Sequence, residues 1–131
     1  MKKFIIVLAI SFSLILSSLG VATPASADVI DSNKVELYKG KNVKSTHLYI
    51  NFLNHVSYSA KVDTSSNHSV IVTFKDPDGD VIDRTVVAPG GRVGNFFFWK
   101  MQTGYYSLTL DCYGTAKDCR ASGIIKEMND N

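Results

Sequence analysis

The chain has 131 residues, carries 14 Lys and Arg against 12 Asp and Glu, and is 45% hydrophobic. That length suits one domain, and the near balance of charge removes the electrostatic basis for binding nucleic acid or an anionic membrane. Its two cysteines, Cys112 and Cys119, lack the CxxC spacing of a zinc site.

The first 27 residues read as a secretory signal peptide. Lys2 and Lys3 form a positive start, an apolar run follows, and Ala25-Ser26-Ala27 supplies a small-x-small cleavage pattern. A membrane anchor would need about 20 apolar residues, whereas this run is diluted by serines and followed by Pro24. The expected mature chain is a secreted domain over 28–131, extracellular and without a transmembrane span. Lys2 and Lys3 leave with the peptide, so twelve basic residues face twelve acidic ones. Export to an oxidising compartment makes Cys112–Cys119 the expected disulfide.

No stretch keeps a helical period over eleven or more residues. Strand patterns recur instead. After a leader at 28–34, short strands are expected over 35–41 and 46–54. "HVSYSAKVD" (55–63) then places Val56, Tyr58, Ala60 and Val62 on one face. Further strands fall at 68–75, 80–88 and 92–101. "GYYSLTLDC" (104–112) alternates Tyr106, Leu108 and Leu110 against Ser107, Thr109 and Asp111. A last strand covers 119–127. About eight short strands, separated by Gly, Pro, Asn or Ser, predict an all-β fold: a single antiparallel, jelly-roll-like β-sandwich. The last two strands are expected to form a hairpin clipped by the disulfide near its turn.

Asp76-Pro77-Asp78-Gly79 is a turn signature. Pro fixes φ at the second position and Gly accepts a positive φ at the fourth, which predicts a type I turn with a glycine bulge. The register that follows pairs Phe74 with Ile82, Val72 with Arg84 and Val70 with Val86, leaving Arg84 as a misfit on the apolar face. Asp76, Asp78 and Asp80 also raise the question of calcium. An EF-hand loop needs Gly at position 6 and Glu at position 12. Here Gly falls at 4 and Val87 at 12, so a plain turn is expected, with no cofactor, and calcium stays the alternative.

His47, His55 and His68 match no ligand motif, and no nucleophile elbow occurs. No reaction-type motif remains, and the protein is expected not to be an enzyme. Asn95-Phe96-Phe97-Phe98-Trp99 offers either a strand buried on both faces or an exposed aromatic strand that contacts a partner. On the second reading the binding residues are Phe96, Phe98, Trp99 and Tyr105, since exposed aromatics suit sugar rings and protein hot spots.

"VIVTFKDPDGDVI" followed by "TGYYSLTLDC" resembles the small secreted bacterial β-sandwich modules of the pre-peptidase C-terminal type, which carry a V-x-L-x-D-P-x-G hairpin and a late G-x-Y-x-L-x-V strand. The similarity covers about residues 56 to 112. It implies a β-sandwich that binds or assists rather than catalyses, in some members with calcium. The CYGTAKDC segment departs from that pattern. The expected function is thus a small secreted binding module for an extracellular or cell-envelope polysaccharide, protein or matrix component. The alternative is a secreted effector, such as an antimicrobial protein or an enzyme inhibitor.

Overall fold

The computed structural model describes residues 28–51, 53–97 and 102–129. Residues 1–27, expected from the sequence to be a signal peptide, lie outside the described residues, as do Phe98 and Trp99. Eight strands run in chain order: β1 (Val29–Leu37), β2 (Val43–Ile50), β3 (His55–Val62), β4 (Val70–Lys75), β5 (Val81–Val87), β6 (Arg92–Phe97), β7 (Gly104–Cys112) and β8 (Ala121–Met128). They form two four-stranded sheets, ordered β1-β8-β3-β6 and β2-β7-β4-β5, and every pairing is antiparallel. This is the strand order of a jelly roll, as the spacing of the strand patterns predicts.

The alternation of period two decides what is inside. Val56, Tyr58, Ala60 and Val62 on β3 are buried, and so are Tyr106, Leu108 and Leu110 on β7. Val70, Val72 and Phe74 of β4 complete the opposite wall. At the centre, Phe74 stacks on Tyr58 at 4.8 Å, on Phe97 at 5.7 Å and on Tyr106 at 5.8 Å between ring centroids. One ring therefore ties both sheets together, as offset aromatic pairs in a sandwich core do.

Three expectations need correction. First, residues 29–34 are not a leader but the start of β1, paired from Val29 with Met128 onward. Every residue from Val29 to Lys34 is exposed, so no hydrophobic alternation marks this stretch. It is held by the backbone ladder to β8 and by the Asn33 side-chain amide, which donates to the His47 carbonyl at 2.7 Å.

Second, β7 and β8 are not a hairpin. They belong to different sheets, and the eight-residue connection between them crosses the sandwich. The Cys112–Cys119 disulfide forms with both cysteines buried and Cα atoms 5.7 Å apart. It pins that crossing rather than the arms of one hairpin.

Third, the β4–β5 register slips by one residue. Lys75 faces Val81, but a bulge follows, so that Phe74 faces Asp83, Val72 faces Thr85 and Thr73 faces Arg84. The extra residue removes the misfit noted above. Arg84 moves to the outer side beside Thr73, Ile82 packs against the core, and the Asp83 carboxylate accepts a hydrogen bond from the Tyr58 hydroxyl. Burial pushes the Tyr58 phenol well above the usual tyrosine range, and the Asp83 hydrogen bond and charge push it further.

Candidate functional site

One end of the sandwich gathers the β2–β3 connection, the β4–β5 turn and the start of β7. The turn has the predicted geometry. The Asp76 carbonyl accepts the Gly79 N–H at 3.0 Å, the Asp80 carbonyl accepts the Asp76 N–H at 2.9 Å, and Gly79 takes φ +87°. The Asp76 Oδ1 accepts the N–H groups of Asp78 and Asp80 at 3.0 and 2.9 Å. This carboxylate therefore caps its own turn. Carboxylate oxygens of Asp76, Asp78 and Asp80 lie within 4.8 Å of one another. They are the residues that could hold a cation here, though one oxygen of Asp76 is already engaged by the backbone.

The turn also leans on β7. A Cβ on Gly104, which has φ +145°, would meet the Pro77 Cβ at 2.7 Å, so only glycine lets the turn pack this closely. Gln102 Nε2 donates to Asp78 Oδ2 at 3.1 Å. The buried Tyr106 hydroxyl donates to the Gln102 carbonyl at 2.5 Å. Burial raises the Tyr106 phenol, and the charge of Asp76 raises it further. These contacts fix the backbone immediately before and after Tyr105.

Tyr105 is 63% exposed and stands on the outer face of the β2-β7-β4-β5 sheet. Directly across the ladder is Tyr49, itself 50% exposed. The two rings meet edge to face, with centroids 5.3 Å apart. The same register places His47 opposite Ser107 and Ser45 opposite Thr109 on this face. Ser45 Oγ and Thr109 Oγ1 share a hydrogen bond of 2.9 Å. The surface is a pair of rigid aromatic rings next to a strip of hydroxyls and one imidazole. It offers stacking area and hydrogen bonds.

Phe96 is elsewhere. It lies on β6, in the other sheet, where it alternates with the buried Phe97 and packs against His55 at 5.7 Å. Phe96 and Tyr105 therefore do not share a sheet, and Phe98 and Trp99 lie outside the described residues. Of the binding residues named from the sequence, Tyr105 and Phe96 stand on the outer faces of opposite sheets; Tyr105 is the more exposed, and its partner is Tyr49. The sequence shows Tyr49 only as one strand tyrosine among several. What singles it out is a strand pairing between distant segments.

The pre-peptidase C-terminal domain of a collagenase from Bacillus anthracis superposes with a TM-score of 0.52 at 14% identity, covering 79% of this chain and 98% of that one. The chain is similar in fold to that domain. The resemblance carried by the DPDG hairpin and the TGYYSLTLDC strand thus holds in three dimensions, where those segments are β4–β5 and the neighbouring β7. Looser likenesses include the C-terminal domain of the sugar-binding protein EclA, with TM-score 0.46, 12% identity and coverage of 82% and 83%. A Bacillus endospore appendage protein of disulfide-linked pili gives 0.45 and 14%, covering 83% and 96%. No protein-family model matches the sequence, and no curated protein matches it.

Proposed function

We propose that the protein is a non-catalytic binding module, secreted after loss of residues 1–27, that holds an extracellular or cell-envelope polysaccharide on the Tyr49–Tyr105 face. The observation that carries this reading is the exposed tyrosine pair. Two large apolar rings left open on a sheet face, when the core has taken Tyr58 and Tyr106, are in the right place for a partner. Tyrosine loses little side-chain entropy on binding and brings a hydroxyl to the edge of an apolar contact. A pyranose ring presents the same mixture of apolar face and polar rim.

No cofactor is needed for such a contact. The Asp76 carboxylate is occupied in capping its own turn, which favours the plain turn over a calcium site. A calcium titration checks this: an unchanged Tm is expected, and a Tm that rises with calcium would reverse it.

The function itself is tested by co-sedimentation of the purified protein with insoluble polysaccharides, using wild type, Tyr49→Ala and Tyr105→Ala. At least one glycan should retain the wild type, and each variant should bind it roughly tenfold more weakly, the loss expected for one aromatic contact. Retention that both variants preserve would refute the tyrosine face as the site.

A further inference from the structure

The outer face of the β1-β8-β3-β6 sheet carries a second surface of different chemistry. Alternation and register place three rows of side chains on it. Glu36, Ser122, Lys61 and Arg92 form the first row; Lys34, Ile124, Ser59 and Gly94 form the second; Ser32, Lys126, Ser57 and Phe96 form the third. The first two rows line a shallow trough of about 340 Å³. Its floor is made of small or hydroxyl-bearing residues, Ser59, Ser122 and Gly123, with Ile124 beside them. Lys34, Lys61 and Arg92 stand around it, and Lys126 follows in the third row. Toward the β1–β2 end the trough continues into a second depression, where Arg120, Lys39 and Asp63 join Glu36 and Lys61.

The face carries four cations over its three rows against a single carboxylate, Glu36. Among the described residues, none of Lys34, Arg92 and Lys126 has an ion pair, and Lys61 acts on the Asp63 carboxylate of the adjoining depression. This excess is local. The segment 28–131 carries twelve basic and twelve acidic residues, so the cations are concentrated rather than general. Low-dielectric walls around a depression of one sign focus its field on a ligand of the other sign.

The geometry points to this trough as a binding site for a carboxylate-bearing glycan, a polymer of uronic acid type. Three features of the surface select that chemistry. The cations are spaced rather than massed: rows repeat about every 7 Å along the strands and strands lie about 4.8 Å apart, with serines between them. A chain with one negative charge per ring and hydroxyls between charges matches that spacing. Glu36 and the serines offer hydrogen-bond partners for sugar hydroxyls, which polyphosphate lacks. The first two rows carry no aromatic ring for nucleobases to stack on, and the exposed Tyr38 stands beyond them in the second depression.

The test measures binding of the purified protein to polygalacturonate by calorimetry. Parallel arms use fully methyl-esterified polygalacturonate, which lacks the charge, and polyphosphate, which lacks the hydroxyls. Polygalacturonate should bind and weaken as salt is added, and the other two should not bind comparably. The Lys34→Gln/Arg92→Gln double variant should lose roughly tenfold in affinity, two exposed charge contacts together, with its Tm unchanged. Tyr105→Ala should keep wild-type affinity for polygalacturonate, which separates this site from the tyrosine face. The proposal is overturned if polygalacturonate does not bind, if the ester or polyphosphate binds as tightly, or if the double variant binds as wild type does.

Discussion

The two outer faces of this sandwich are built by the same rule and end with opposite chemistry. On each, alternate residues of four strands point away from a shared core. On β2-β7-β4-β5 the ladder sets Tyr49 against Tyr105 and Ser45 against Thr109, a surface of rings and hydroxyls with Lys75, Arg84 and Asp111 around it. On β1-β8-β3-β6 it sets Lys61 beside Arg92 and Lys34 beside Ile124, a cationic trough. Neither face contributes to the core, so each is free to vary without loss of the fold. A binding function on one side thus places no demand on the other, and the buried wall between them is the part both share.

The strongest way to break the comparison is to remove that wall. Phe74→Ala deletes the ring on which Tyr58, Phe97 and Tyr106 all stack. Chemical denaturation should show a loss of about 3–5 kcal/mol, and both faces should lose their ligands together. Reducing the disulfide, or the Cys112→Ser/Cys119→Ser double variant, should cost about 2.5 kcal/mol on the loop-entropy account. Because the bridge pins a crossing between sheets, it too should affect both faces alike.

A finer probe uses pH. An unfolded tyrosine ionises near pH 10, whereas buried Tyr58 stays neutral well above that. Above pH 10 the unfolded chain therefore holds fewer protons than the folded one, and stability falls as pH rises; below pH 10 the contribution is complete. The slope should approach about 1.4 kcal/mol per pH unit for each such tyrosine. Tyr58→Phe should flatten it when unfolding is followed from pH 9 to pH 11. The same variant should cost about 1–3 kcal/mol at neutral pH, because Asp83 loses its hydroxyl donor.

Period two is a local signal, and so the inward faces of β3 and β7 were legible from residues 55–63 and 104–112. The DPDG turn was legible for the same reason: Pro77 and Gly79 dictate its dihedrals themselves. What escaped depends on distant partners. Nothing near Cys112 or Cys119 says whether a short link turns back within a sheet or crosses to the other, since both strands alternate alike. The bulge near Ile82 brings Asp83 to Tyr58 across the core, a meeting that sequence separation hides. The first residues of β1 have no apolar period because they are held by the backbone ladder and the Asn33 amide rather than by buried side chains. The candidate site divides in the same way. Tyr105 was visible as an aromatic near a strand start, but Tyr49 becomes its partner only through the β2–β7 register. The cations of the trough come from four strands and form no cluster in the sequence.

The smallest expected effect on stability, and the largest on binding, belongs to the tyrosine face. Tyr49 and Tyr105 are exposed, so the Tyr49→Ala/Tyr105→Ala double variant should unfold within about 1 kcal/mol of wild type. The direct test is its co-sedimentation with a polysaccharide that retains the wild type. Loss of retention by a variant that still unfolds like wild type is the predicted result; full retention would contradict the account.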